Sequence, residues 1–280
     1  MKTITSRSNP LYKQWLSEHK RAARPGHLAW LEGVHLCQSW LARYSQPVWA
    51  IINQDAAHQP DIEALIGDLD AERQVWMPET MVLGMSSLVS APPIIFLVEV
   101  PRQAPVVDFE RNCVVLDDVQ DPGNVGAILR TAAAAGISEV FTSLATAACW
   151  SPKVLRAGQG AHFALKIHEG QDLQSVLRAN RSNPDRLPVL VTTLSQSAQP
   201  LYNLSLPKQA IWVFGHEGRG VAPDIIALAD CEIYIAHDTA AVESLNVASA
   251  AAICLFEQRR QMSPKRCDQD TINKPGADRA

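Results

Sequence analysis

The chain has 280 residues, of which 47% are hydrophobic and 19% are charged. This composition supplies enough apolar material for a folded core and excludes a disordered polyelectrolyte, and at about 150 residues per domain the length predicts two domains. The longest uncharged run, residues 187–207, contains three prolines and several polar side chains, so it does not predict a membrane span. The net charge of −4 argues against a protein that coats nucleic acid nonspecifically.

Six cysteines are spread along the chain without a CxxC pair. In a chain of this length, such spacing predicts reduced and mostly buried thiols rather than disulfides, and it excludes the paired ligands of a structural zinc. The first residues lack the apolar stretch of a signal peptide. We therefore expect a cytoplasmic protein with no metal and no membrane association.

The N-terminal 25 residues have a charge balance unlike the rest of the chain, with six basic residues, one acid and a local net charge of +5. Such a segment is either a phosphate-binding surface or a solvated amphipathic helix with a basic end, and charge alone does not decide between them. Its basic residues are Lys2, Arg7, Lys13, Lys20, Arg21 and Arg24.

A first series of strands and helices occupies the N-terminal third. A helix is predicted from Pro10 to about Lys20, with Asn9 as its N-cap. Further helices are predicted from about Val34 and Asp61. An apolar stretch lies near residues 28–31, and strands are predicted at residues 48–53 and 94–100. Prolines at 101 and 105 then break the pattern, so residues 1–100 are expected to form a small α/β domain followed by a linker at 101–110.

The second series contains apolar runs that are continuous rather than alternating, at residues 113–116, 189–191, 211–214 and 233–235. Such runs are typical of strands buried on both faces of a parallel sheet. A helix is predicted at residues 125–135, closed by Gly136, and another at about 245–261 with an alanine-rich face that suits either core packing or a dimer seam. This domain is expected to span residues 111–262, and residues 263–280 have the composition of a flexible tail.

The loops after these runs are where an open α/β sheet binds ligands. The first loop, at residues 117–130, places Asn124 to cap the following helix and Arg130 on its second turn, although for this segment alone an ordinary turn with a surface arginine is the better explanation. The second, residues 214–220, has three glycines and Glu217. Its spacing matches neither the dinucleotide fingerprint nor a phosphate-binding P-loop.

The third loop precedes the last helix and has the sequence ESLN, in which Ser244 is a natural N-cap. His237 and Asp238 lie between the fourth apolar run and this segment. No nucleophile geometry follows from their positions, and we expect both to face solvent.

Taken together, the segments NVGAILR, FGHEGRG and ESLNVA resemble the three signature motifs of the SpoU/TrmH RNA 2′-O-methyltransferases of the SPOUT superfamily. Residues 4–40, with SRSNPLYK and LEGVHL, are similar to the ribosomal-protein-like substrate-binding domain often fused ahead of that catalytic domain. The resemblance implies a smaller α/β domain followed by a mainly parallel α/β domain with a trefoil knot. It also implies S-adenosylmethionine bound in the knotted cleft, and a homodimer.

Matching the motifs residue by residue assigns expected roles. Cofactor contacts fall on Gly215, Gly218, Ile235 and Leu245. Catalytic or substrate-proximal positions fall on Asn124, Arg130, Glu217, Ser244 and Asn246. Ala236 follows Ile235 where the family usually has proline, so the motif match does not fix the detailed contacts of the adenine pocket.

The implied reaction is methylation of a ribose 2′-hydroxyl in structured RNA, with ribosomal RNA favoured over transfer RNA by analogy with fused domains of this kind. Arg130 is expected to grip a phosphate, because a guanidinium is a poor base. Arg7, Lys13, Lys20, Arg21 and Arg24 are expected to bind RNA. A noncatalytic RNA-binding or ribosome-assembly factor and a nucleotide-dependent oxidoreductase remain as alternatives.

Overall fold

The structure is a computed structural model that describes residues 2–19, 27–102 and 111–263. Its N-terminal part contains a five-stranded sheet in the spatial order β1-β4-β3-β5-β2. The strands are β1 (Lys2–Thr3), β2 (Leu28–Glu32), β3 (Trp49–Asn53), β4 (Gln74–Met77) and β5 (Ile94–Glu99). The helices are α1 (Pro10–His19), α2 (Val34–Leu41), α3 (Pro60–Gly67) and α4 (Glu79–Gly84).

Helix α1 begins where the sequence predicts. The side chain of Asn9 accepts hydrogen bonds from the backbone of Leu11 at 2.9 Å and Tyr12 at 3.4 Å, and Pro10 takes the first helical position. The sheet is mixed, because β5 runs antiparallel to both of its neighbours while β1, β4 and β3 are parallel. Strand β4 was not predicted, since four residues give too short a periodic pattern to separate it from the helices around it.

The C-terminal part contains a seven-stranded sheet in the order β10-β12-β9-β11-β6-β7-β8, and every neighbouring pair is parallel. The strands are β6 (Cys113–Asp117), β7 (Glu139–Thr142), β8 (Lys166–His168), β9 (Val189–Thr192), β10 (Gln199–Pro200), β11 (Ile211–Gly215) and β12 (Cys231–Tyr234). The helices are α5 (Pro122–Ala135), α6 (Pro152–Gly158), α7 (Leu173–Ser182), α8 (Pro223–Ile226) and α9 (Val247–Met262).

The central strands are apolar on both faces because both faces are covered. In β6, Val114 and Leu116 belong to one core cluster, whereas Cys113 and Val115 belong to another on the opposite face. The α/β class with a mainly parallel sheet, preceded by a smaller α/β domain, is thereby confirmed. The trefoil knot stays a prediction.

Two predicted helix caps are wrong. Helix α5 begins at Pro122 and is capped by Asp121, whose side chain accepts from the backbone of Asn124. Helix α9 begins at Val247 and is capped by Asn246 rather than Ser244. In both cases several polar residues in a row could cap, and only the tertiary contacts select one. Gly136 ends α5 in a left-handed conformation with φ of 85°, as predicted.

The N-terminal and C-terminal parts pack against each other. The ring of Trp40 on α2 meets Phe163 edge-on at 5.8 Å between centroids, and both residues belong to one core cluster that spans the two sheets. Arg156 on α6 also donates to the hydroxyl of Ser87 at 3.3 Å. The predicted linker comprises residues 101–110 and the predicted tail residues 263–280, and of these residues 103–110 and 264–280 lie outside the described residues. The domain boundaries therefore stay predictions.

The cysteines behave as buried thiols. Cys37, Cys113, Cys149 and Cys254 are free and buried, and burial raises the pKa of the Cys254 thiol to about 12. Within the described ranges, no group of three or more potential metal ligands occurs. Of the described helices, none is both long and apolar enough to cross a membrane.

Candidate functional site at the carboxyl edge of the parallel sheet

The three candidate loops leave the sheet at one edge. Strands β6 and β11 are neighbours in parallel register, with Asp117 opposite Gly215 at their carboxyl ends. The loop after β6 and the glycine turn after β11, defined here as residues 216–220, therefore start side by side. The segment after β12 returns towards both through the start of α9.

The carboxylate of Glu217 joins the first two loops. It accepts hydrogen bonds from the backbone N–H groups of Gln120 at 3.3 Å and Asp121 at 3.1 Å. It also accepts one from the side-chain amide of Asn124 at 3.0 Å. Partial burial raises the pKa of Glu217, but these donors outweigh it and hold the pKa below its usual value, so the group is a fixed anion.

Asn124 is the point at which all three motifs meet. While its Nδ2 donates to Glu217, its Oδ1 accepts from Nδ2 of Asn246 at 2.9 Å. These partners are 93 and 122 residues away from Asn124 along the chain. A chain of hydrogen bonds between side chains thus connects the starts of α5 and α9 with the glycine turn.

The two corrected caps explain how this chain of bonds forms. Because Asp121 caps α5, both ends of the Asn124 amide are available for tertiary contacts. Asn246 uses its carbonyl oxygen to cap α9, accepting from Ala248 at 2.9 Å and Ser249 at 3.2 Å. Its NH₂ group then remains to bind Asn124, since an amide side chain carries an acceptor and two donors.

The glycine turn is held rigidly by its own atoms. His216 and Gly220 exchange two backbone hydrogen bonds of 3.0 and 2.9 Å. The ring Nδ1 of His216 also accepts from the backbone of Gly218 at 2.9 Å and Arg219 at 3.2 Å. A Cβ at Gly215 would lie 2.6 Å from the carbonyl oxygen of Gly220, so that position admits only glycine.

A cavity of about 520 Å³ opens between the glycine turn, β12 and the start of α9. Its size is in the range of small-molecule sites. All four residues expected to contact the cofactor line it, together with Glu217, Ser244 and Asn246. The lining residues are Thr192, Thr193, Leu194, Gly215, His216, Glu217, Gly218, Arg219, Gly220, Ile233, Tyr234, Ile235, His237, Glu243, Ser244, Leu245, Asn246, Val247 and Ala250.

Arg130 lies apart from this cavity. It is exposed on the third turn of α5, not the second as predicted, because the helix starts three residues earlier than expected. Six residues along a helix rotate it by about 120° from Asn124. Among the described residues, the guanidinium of Arg130 has no hydrogen-bond or ion-pair partner.

The predicted RNA-binding residues divide into two groups. Arg7 and Lys13 are exposed, Lys13 on α1 and Arg7 just before it. Lys20, Arg21 and Arg24 lie outside the described residues.

Several cavity residues were missed by the sequence analysis. Thr192 ends β9, and Thr193 and Leu194 follow it, so the rule that ligands bind at the carboxyl ends of strands could have found them. His237 was expected to face solvent but is half-buried and lines the cavity. Glu243 was noted only as part of a motif, although it also lines the wall.

The parallel sheet, the cavity at its carboxyl edge and the three linked motifs define an α/β enzyme with a small-molecule site. Comparison with known protein families shows to which of them the chain belongs. The model of the SpoU rRNA Methylase family matches residues 111–256, and the chain belongs to this family.

Two curated proteins resemble nearly the whole chain. An uncharacterized tRNA/rRNA methyltransferase of Synechocystis is 30% identical over 92% of this chain and 94% of its own length. The 23S rRNA (guanosine(2553)-2′-O)-methyltransferase RlmP of Bacillus subtilis is 30% identical over 92% of this chain and all of its own.

Solved structures show the same architecture. A putative RNA methyltransferase of the TrmH family from Porphyromonas gingivalis matches with a TM-score of 0.76 and 30% identity over 91% of this chain and 98% of its own. An rRNA methyltransferase from Sinorhizobium meliloti with bound S-adenosylmethionine matches with a TM-score of 0.79 over 94% of this chain and 99% of its own. At 23% identity, the second likeness concerns the fold alone.

Proposed function

We propose that the chain transfers a methyl group from S-adenosylmethionine to a ribose 2′-hydroxyl of ribosomal RNA. Membership in the SpoU family makes it an S-adenosylmethionine-dependent RNA methyltransferase. The choice of ribosomal RNA is supported by the likeness to RlmP over nearly the whole chain. The observation that carries the proposal is the hydrogen-bonded convergence of Asn124, Glu217 and Asn246 beside the cavity.

The residues of the cavity fit the cofactor. Leu194, Ile235 and Leu245 offer apolar walls for a flat heterocycle, and the glycine turn brings backbone polar groups to the surface. Glu217 and Glu243 add negative charge that suits a sulfonium and an ammonium group. When bound, S-adenosylmethionine supplies an electrophilic methyl group.

The chain's own residues would then orient the ribose. Asn246 lines the cavity and is hydrogen-bonded to Asn124, which lies outside the lining, and the exposed Ser244 also lines the cavity. Fixing the hydroxyl within about 3 to 3.5 Å of the reacting carbon lowers the barrier by removing orientational freedom. Glu217 fixes the glycine turn against the loop that contains Asn124 through three hydrogen bonds.

Arg130 is proposed to act on the RNA bound at the site of a second copy. Its exposed guanidinium has no partner among the described residues, and it is flanked on α5 by the small residues Ala127 and Ala134. On the neighbouring helix α9, Phe256 is 46% exposed. A homodimer through this face would cover Phe256 and set Arg130 against a phosphate beside the reacting ribose.

The test of this role removes the charge. We expect Arg130→Ala to bind S-adenosylmethionine with unchanged affinity in calorimetry but to lose transfer of a labelled methyl group to ribosomal RNA. Arg181→Ala is the matched control, because Arg181 is an exposed arginine on α7, on the other side of the sheet. Unimpaired transfer by Arg130→Ala would remove Arg130 from the mechanism.

The N-terminal domain is proposed to recognise folded RNA through phosphates, using Arg7, Lys13, Lys20, Arg21 and Arg24. Replacing Arg7 and Lys13 together by Gln should weaken RNA binding and reduce the slope of log K against log salt by about one to two. An unchanged slope would exclude these two exposed side chains from the interface. The proposed substrate would place the enzyme in the cytoplasm.

The alternatives predict different ligands. A noncatalytic assembly factor would bind RNA without transferring a methyl group. An oxidoreductase would bind NAD in calorimetry, and binding of NAD without S-adenosylmethionine would overturn the proposal.

A further inference from the structure

The wall of the cavity formed by residues 236–245, named here the cofactor loop, has few internal restraints. Its backbone hydrogen bonds form one turn, in which Ala241 and Val242 donate to the carbonyl of Asp238 at 3.1 and 3.2 Å. Residues 238–244 are exposed. Ala236 has no ring to fix its backbone, unlike a proline.

A single side chain bridges the two ends of this loop. The ring of His237 has Nδ1 2.8 Å from the carbonyl oxygen of Ile235 and Nε2 3.3 Å from the carbonyl oxygen of Glu243. All three residues line the cavity. The ring therefore ties the end of β12 to the start of the ESLN segment.

Both atoms that face the ring are acceptors only. A neutral imidazole carries one N–H and can donate to one carbonyl, whereas an imidazolium carries two and can donate to both. We propose that His237 is a positioning residue that holds the cofactor loop closed by donating to both carbonyls at once. The loop is then tightest when the ring carries both protons, and loss of one proton releases one end.

Other titratable groups surround the same cavity. The glycine turn contributes His216, Glu217 and Arg219, β12 contributes Tyr234, and the loop itself contributes Glu243. Asp238, which follows His237 in the chain, has an exposed carboxyl group that accepts from the backbone of Ala240 at 3.0 Å. His216 acts in the opposite sense, because its Nδ1 accepts two backbone hydrogen bonds and a proton there would break them.

A comparison of variants isolates His237 from these neighbours. The probe is S-adenosylhomocysteine, whose uncharged sulfur removes any repulsion between a sulfonium and an imidazolium. The quantity is the ratio of the Kd of full-length His237→Phe to that of the wild type, measured by calorimetry at pH 6 and pH 8.5. Contributions from His216 are common to both proteins and cancel in the ratio.

We expect a ratio of about ten at pH 6, where two hydrogen bonds are lost, and about three at pH 8.5, where one is lost. His237→Gln keeps a donor that does not titrate, so the ratio of its Kd to that of His237→Phe should be the same at both pH values. If the ratio of the Kd of His237→Phe to that of the wild type is the same at pH 6 and pH 8.5, the proposal is overturned.

A second measurement needs no cofactor. Amide exchange at Ala241 and Val242, corrected for the intrinsic effect of pH, should be about threefold slower at pH 6 than at pH 8.5 in the wild type and equal in His237→Phe. Equal protection in the wild type would also overturn the proposal. The inference rests on the proposed function only for the ligand, so failure of the wild type to bind S-adenosylhomocysteine would count against that function while amide exchange still tests the bridge.

Discussion

Replacement of Asn124 by Ala tests whether the three motifs work as one unit. The substitution removes the 2.9 Å bond from Asn246 and the 3.0 Å bond to Glu217, while the cap of α5 stays intact because Asp121 supplies it. Asn124 does not line the cavity, so the cofactor should lose little. The effect is expected on the reaction rate instead.

The magnitude follows from the two bonds. A neutral amide pair contributes about 0.5 to 1.5 kcal/mol, and the bond to Glu217 is placed in the same range because that carboxylate is exposed to solvent. Together they amount to about 2 kcal/mol, which corresponds to a loss of about thirtyfold in kcat if both bonds hold the catalytic geometry.

The assay measures labelled methyl transfer to ribosomal RNA and the Kd of S-adenosylmethionine in parallel. We expect kcat to fall about thirtyfold and Kd to change less than about threefold. Asn124→Asp keeps an acceptor for Asn246 but sets a second carboxylate against Glu217, so it should be at least as slow. Asn203→Ala, at an exposed asparagine, is the control. Wild-type kcat in Asn124→Ala would refute the coupling of the motifs.

Two further predictions concern stability. Gly126→Ala would place a Cβ against the side chain of Ala157 and 2.7 Å from a backbone carbonyl of α6, so it should lower the free energy of unfolding by about 1 to 3 kcal/mol in urea titrations. Gly67→Ala, whose Cβ would meet nothing within 4 Å, is the control and should be nearly neutral. Equal stability of the two variants would contradict the close packing of α5 on α6. Burial lowers the pKa of His162 to about 4 from 6.5, so the folded state resists a proton that the unfolded state accepts. The free energy of unfolding should therefore fall by about 3 kcal/mol as the pH drops from 7 towards 4, and it should fall less in His162→Gln. The same pH dependence in wild type and His162→Gln would show that His162 is not the group responsible.

The fold class could be predicted because the central strands are buried on both faces, and their continuous apolar sequences show this directly. Continuous apolar runs located β6, β9, β11 and β12 to within about two residues. Strands β7, β8 and β10 were missed, since short segments at or next to the sheet edges, such as Lys166–His168, mix charged and apolar side chains or are only a few residues long. There, strand pairing decides the structure, and local sequence does not contain that information.

The residues that form the site could be predicted from the sequence, but the hydrogen bonds that join them could not. The motifs identified Asn124, Glu217 and Asn246, yet helix caps were assigned to Asn124 and Ser244, because a run of polar residues offers several possible caps. Which one caps depends on partners about a hundred residues away. His237 was missed for a different reason: its two acceptors are backbone carbonyls only two and six residues away, and sequence patterns do not show contacts to backbone atoms.

The most direct test of the central claim is the chemical position of the transferred methyl group. Full-length protein would be incubated with ribosomal RNA and S-adenosylmethionine labelled in its methyl group, and the RNA would then be hydrolysed in alkali. The account predicts that the label stays in alkali-resistant dinucleotides, which only a 2′-O-methylated ribose produces. Label recovered in single nucleotides would place the methyl group on a base and contradict the account, as would binding of the cofactor and RNA without any transfer.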